Sequence, residues 1–288
     1  MLAQFIGVVL DGIAYASLLF LISVGLSVTM GLMQFANLAH GAFAMAGGYM
    51  CVYAMQAFGL SYLAALPVAF LFSMVLGVIL ERLLYRRLYS ASHLAQVLFT
   101  VGLLYLSMGL AVLLFGPGAQ AIHLPPFLQG QIALFGTQLS VFRAFTIIFV
   151  LVVALGLAFV VRWTRFGARI RCSVDNRAAA IGIGIDVDKV MTYAFALGSG
   201  LAGVGGALGV QLMGLDPSFP LKYLVYFLLI VVVGGAGSFI GPLFAALVVG
   251  VVDTAGRYYA PVLGSFTMYF LMIALLLIFP HGLVGRAR

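Results

Sequence analysis

The chain of 288 residues is 65% hydrophobic and only 7% charged, with a mean hydropathy of +1.23. A soluble domain carries roughly a quarter of its residues as Asp, Glu, Lys and Arg, so the composition excludes a water-soluble globule and demands lipid as the main solvent. The net charge of +7, from 14 Lys and Arg against 7 Asp and Glu, points to membrane orientation rather than to nucleic acid, because cytoplasmic loops are enriched in Lys and Arg.

The first apolar block, residues 5–32, follows MLAQ without a basic leader or a cleavage-site pattern, and is expected to be a retained span rather than a signal peptide. The next stretch, GLMQFANLAHGAFAMAGGYM, is apolar but interrupted by Gln34, Asn37 and His40. Residues 60–80 then run to a first basic cluster, Arg82, Arg86 and Arg87. Residues 96–115 and 145–161 form an outward and an inward span. The linker between them, GPGAQAIHLPPFLQGQIALFGTQLS, holds no Lys or Arg and is rich in Pro, Gly and Gln. It is expected on the outer face, as irregular structure or a short hairpin.

The second basic cluster (Arg162, Arg165, Arg169, Arg171, Arg177 and Lys189) lies in a polar loop, 162–190, placed in the cytoplasm by its charge. Within it SVDNRAAAIGIGIDVDKV predicts a short helix over 177–181. Asp175 or Asn176 is positioned to cap it, the alanines favour it, and Gly182 and Gly184 end it. Two readings are open: a piece that docks in a partner's groove, or a connector lying on anionic lipid.

Residues 191–213 go out again, GLDPSFP is a breaker-rich outer turn, and 266–278 return inward to a last basic pair, Arg286 and Arg288. Parity then requires 223–252 to start and finish outside. That block is broken by GGAGSFIGP into two arms too short for comfortable crossings, so a re-entrant pair or two half-helices is expected. Backbone freed there must be buried in protein or line a wet cavity. Interrupted segments in both halves of a chain mark the central pathway of many transporters. The candidates for it are Gln34, Asn37, His40, Gly234, Gly235, Gly237 and Ser238; interhelical hydrogen bonding is the rival role for the polar ones. Gly198, Ala202 and Gly206, spaced four apart, are expected to serve close helix packing.

Signals for catalysis are nearly absent. The four histidines (His40, His93, His123, His281) are scattered, no metal-ligand spacing occurs, and no phosphate-gripping loop appears. Cys51 and Cys172 offer no disulfide framework. Asp11 and Asp253 lie near span ends, where snorkelling or capping competes with function. This is a poor inventory for a self-sufficient proton-driven carrier.

The stretch NRAAAIGIGIDVDKV looks like the cytoplasmic loop of ABC importer permeases, where an E-A-A…G pattern marks the coupling helix seated on the ATPase. More closely, the chain resembles the LivH-like family of branched-chain amino acid transport permeases. GLSVTMGLMQFANLAHGAFAMAGGYM is similar to that family's N-x-A-H-G stretch, ERLLYRRLYSAS to its E-R-x-x-Y-R-P-L loop, VVVGGAGSFIGPLFAALVVG to its G-G-x-G-S segment, and FPHGLVGR to its ending. Ala178 stands where the pattern has glutamate, and Arg87 where the first loop has proline.

The resemblance implies an all-α polytopic protein with about eight membrane-embedded segments, some interrupted or re-entrant, forming a single permease domain over 1–288. It implies a coupling helix using Asp175, Asn176, Arg177, Ala179, Ala180, Gly182 and Gly184. It further implies a second, LivM-like permease, two ABC ATPase subunits that bind ATP and Mg, and an extracytoplasmic binding protein docking on 116–140 and 214–222. No cofactor is expected on this chain. The implied setting is a bacterial inner membrane. Branched-chain or related amino acids are the implied cargo, with urea, short amides and small aromatic acids as alternatives within the family. A stand-alone channel or carrier is the rival of another class.

Overall fold

In lipid a backbone without neighbouring water must satisfy its own amides, which favours helices. The computed structural model, describing residues 2–89, 91–134, 136–279 and 282, shows this outcome. In chain order the helices are α1 (Leu2–Met33), α2 (His40–Phe58), α3 (Tyr62–Leu83), α4 (His93–Phe115), α5 (Val141–Trp163), α6 (Arg165–Asp175), α7 (Arg177–Gly182), α8 (Val187–Leu212), α9 (Phe219–Lys222), α10 (Leu224–Gly234), α11 (Ile240–Tyr259) and α12 (Pro261–Ile278). Strands β1 (Gln131–Leu134) and β2 (Thr137–Ser140) pair antiparallel within the 116–140 linker, Gln131 opposite Ser140.

Among the described residues, α1, α3, α4, α5, α8 and α11 are long and apolar enough to cross a membrane, and α10 and the 266–278 part of α12 are shorter apolar segments. The protein is an all-α polytopic membrane protein. Arg286 and Arg288, with most of the C-terminal motif, lie outside the described residues.

The bundle has two distinct ends. At one, the hairpin end, Gly7 of α1 meets Thr137 of β2. At the other, the basic end, α6 and α7 lie beside Arg86. Helix α8 fills the centre, wrapped by α1, α2 and α3. Its small residues explain how three helices approach one. A Cβ on Gly25 of α1 would fall 2.4 Å from the Gly198 carbonyl oxygen, and one on Gly206 would fall 1.8 Å from the Ala44 oxygen of α2. Residues eight apart on a helix are turned by about 80°, so Gly198 serves α1 and Gly206 serves α2 rather than one shared partner. Ala202, between them, is fully buried.

The C-terminal block differs from the expected pair of short arms. Helix α10 is short, with 11 residues, but α11 runs for 20. Asp253 and Arg257, which look in sequence like the end of the arm, are bonded one turn apart (Arg257 Nε to Asp253 Oδ2, 2.9 Å). A pair at i, i+4 lets a helix carry both charges without ending. The hairpin α10–α11 enters and leaves from the same end, as parity requires, but its tip reaches the basic end.

Candidate coupling and translocation sites

The polar loop 162–190 folds as two helices where one was expected. Thr164 opens α6: its hydroxyl oxygen accepts from Gly167 N–H at 3.1 Å. Gly167, Ile170 and Ser173 of α6 are buried while Arg165, Arg169 and Arg171 are exposed, giving the segment one face for the bundle and one for the basic surface. Asn176 then caps α7, its Oδ1 accepting from Ala179 N–H at 2.9 Å. Helix α7 ends through Ile185 N–H to the Ala180 oxygen (3.0 Å) and Gly184 in the left-handed region (φ 86°).

Along α7, Ala180 is turned inward at 1% exposed, whereas Ala179, Gly182 and the neighbouring Ile181 and Ile183 face out. Nothing lies within 4 Å of a Cβ placed at Gly182 or Gly184. The outer face of α7 is therefore small, apolar and unobstructed. Charge fixes its place: Asp188 accepts from Arg86 at 2.8 Å and sits 3.3 Å from Arg177, tying both basic loops together. Asp175 closes α6 and is exposed. Asp186 caps α8, and its carboxyl is held below the ordinary carboxylate range by hydrogen bonds from the Lys189 side chain and then its backbone N–H. Replacing Asn176 with Ala is expected to cost about 1 kcal/mol of helix stability, seen as faster amide exchange over 179–182 with the spans unaffected.

Two further residues, not singled out from sequence, hold this end together. Glu81 is 1% exposed and accepts from Tyr89 hydroxyl (2.7 Å) and Thr192 hydroxyl (2.9 Å). It fastens the first basic loop to α8. A glutamate followed at once by arginines, closing a long apolar run, was the signal available for it.

The α10–α11 break sits against this assembly. Gly237 N–H donates to the Ser27 carbonyl of α1 at 2.8 Å, and the Ser27 hydroxyl lies 2.8 Å from the Ser238 carbonyl and 3.2 Å from that of Gly235. Ser238 hydroxyl oxygen accepts from Gly241 N–H at 3.1 Å and so opens α11. Gly235 and Gly237 have φ of 91° and 81°, which glycine adopts without a Cβ penalty. The freed backbone is thus satisfied by α1. On its other side Gly237 faces α6: a Cβ there would fall 2.6 Å from Val174 Cγ1. Val174 lies three residues before Arg177, so the predicted docking residues and Gly234, Gly235, Gly237 and Ser238 are brought together.

Gln34, Asn37 and His40 form a separate group. Gln34 is exposed and left-handed (φ 61°), where its N–H to the Met30 oxygen (2.8 Å) turns the chain out of α1. Asn37 Oδ1 accepts from Tyr85 hydroxyl (2.9 Å) and Ala39 N–H (3.1 Å). His40 Nε2 is 3.0 Å from the Ile22 oxygen; a carbonyl only accepts, so Nε2 carries the proton. Interhelical bonding accounts for one side of each residue. Asn37 Nδ2 and His40 Nδ1 remain buried without a partner among the described residues. The two groups share α1, which receives His40 at Ile22 and the break at Ser27.

Comparison with known proteins follows the same residues. The model of the family described as "Branched-chain amino acid transport system / permease component" matches residues 8–279. A probable branched-chain amino acid transport permease protein LivH of Methanocaldococcus jannaschii is 28% identical, covering 96% of this chain and 92% of its own length. The high-affinity branched-chain amino acid transport system permease proteins LivH of Salmonella typhimurium and BraD of Pseudomonas aeruginosa are each 25% identical, covering 96% of this chain and 94% of their own. No solved structure matches.

Proposed function

The chain belongs to the branched-chain amino acid transport permease family, and from that premise we propose that it is one membrane subunit of an ATP-driven importer whose handle is α7. The observation that carries this reading is the contact of Val174 with Gly237. An ATPase gripping the open face of α7 would push on α6, and Val174 would pass that push to the α10–α11 break and so to α1. ATP and Mg would be held and hydrolysed by two separate ABC ATPase subunits, with no cofactor on this chain and no nucleic-acid partner. A second, LivM-like permease would complete the conduit. An extracytoplasmic binding protein would deliver cargo to the 116–140 and 214–222 segments at the hairpin end, in a bacterial inner membrane.

Branched-chain or related amino acids are the cargo proposed, as the relatives' names state for those proteins. Urea, short amides and small aromatic acids are the alternatives. A stand-alone channel or secondary carrier is disfavoured by the same geometry, since an open small-residue face on α7 has no use without a partner. Uptake by the complete importer in proteoliposomes is expected to stop when the partner ATPase is inactivated. Uptake that persists with this chain alone overturns the reading.

A further inference from the structure

At the hairpin end four charged side chains from three helices surround one cavity. Asp11 of α1 pairs with Arg143 of α5, and Asp253 of α11 pairs with Arg257. With Tyr15 and Tyr223 they line about 300 Å³, the small end of the range that small-molecule sites occupy. Asp253 is 1% exposed, and a carboxylate so deep in an apolar bundle is tolerated only with partners. Arg257 supplies one, and Tyr226, whose hydroxyl lies 3.3 Å from Asp253 Oδ1 and 2.9 Å from an Arg257 nitrogen, supplies another.

The Tyr15 hydroxyl is different: it is buried and has no hydrogen-bond partner among the described residues. Its ring is fixed edge-on against Tyr226, centroids 6.2 Å apart. A buried orphan hydroxyl costs stability unless something meets it, and Tyr15 lines the cavity.

We propose that this cavity receives a zwitterion, a small molecule bearing one ammonium and one carboxylate as free amino acids do. The inference rests on the import reading above and names where its cargo first meets the chain. Two carboxylates and two guanidinium groups sum to no net charge but present both poles. A zwitterion can exchange partners pole for pole: its carboxylate takes the Arg143 fork, its ammonium takes the carboxylate released, and no buried charge is stranded. A monoanion such as an aromatic acid would leave one carboxylate unpaired. Urea and amides bring no charge to separate an ion pair. The Tyr15 hydroxyl then donates to the ligand carboxylate. The cavity thus favours amino acids over the other cargo classes, and its end of the bundle is the one opposite α7.

The test is ATP-driven uptake of L-leucine, at subsaturating concentration, by the complete importer in proteoliposomes. Tyr15→Phe is expected to melt no lower than wild type yet to take up L-leucine about tenfold more slowly, the effect of one lost hydrogen bond to a charged group. The reversed pair Asp11→Arg with Arg143→Asp keeps an ion pair but turns its poles around, and its uptake is expected to stay lost. Wild-type uptake by Tyr15→Phe, or recovery to wild type in the reversed pair, overturns the proposal alone and leaves the import reading standing. Should the reversed pair fail to reach the membrane, Tyr15→Phe decides by itself. A wild-type complex that imports urea or benzoate in place of L-leucine overturns the cargo reading and this site with it.

Discussion

Gly182→Trp is expected to leave the protein folded and inserted while cutting ATP-driven uptake by about a hundredfold. Folding should survive because the position is exposed and no atom lies within 4 Å of a Cβ there. Gly is also among the poorest helix formers, so Trp does not weaken α7. An indole on that face can clash only with something outside the chain. A hundredfold loss corresponds to ~2.8 kcal/mol, the size of effect expected when the buried centre of an interface is disrupted. Ala179→Arg should act the same way, since Ala179 uses only its N–H, held by Asn176, and its side chain points out. The measurement is uptake normalised to the amount of chain in the membrane. Normal transport by either variant would remove α7 from the docking role.

Gly25→Leu is expected to fail one step earlier, at the packing of the bundle. Its Cβ would fall 2.4 Å from the Gly198 oxygen and 2.5 Å from Gly198 Cα. Both atoms are backbone, and α8 is hemmed in by α2 and α3, so nothing nearby can swing aside. Overpacking in a core costs about 1–3 kcal/mol when side chains can adjust; here the cost should reach or exceed the top of that range. The thermal midpoint of the purified protein should fall sharply, and little of it should accumulate in the membrane. Gly102→Leu on α4 is the control, because a Cβ there meets nothing within 4 Å. Equal stability of Gly25→Leu and wild type would show that α1 and α8 do not pack at this crossing.

How much of this was legible depends on how local each signal is. Composition alone dictated helices, and the Asn176 cap was readable because a capping side chain bonds three residues ahead. The α10–α11 break announced itself in GGAGSFIGP. Its destination did not: nothing in that string says that Gly237 will donate to Ser27 or rest on Val174. Such contacts depend on which helix ends meet, and a single sequence does not state that. The same holds for Glu81 with Thr192, 111 positions apart, and for Asp11 with Arg143. The length of α11 was a different error. Asp253 and Arg257 stand four apart, the spacing at which opposite charges support a helix, so the information was present and was outweighed by a preference for ending apolar segments at charge.

The central place of α8 has a consequence for biosynthesis. Helices α1 and α2 barely touch each other and are joined chiefly through α8, which begins at residue 187. A nascent chain emerges from its N-terminus, so the earliest segments to enter the bilayer must wait, with their small-residue crossings facing lipid or an insertion factor, until two-thirds of the polypeptide has been made. Translation that stalls before α8 would strand α1 apart from α2 and α3, leaving a fragment for membrane proteases rather than a partly working permease.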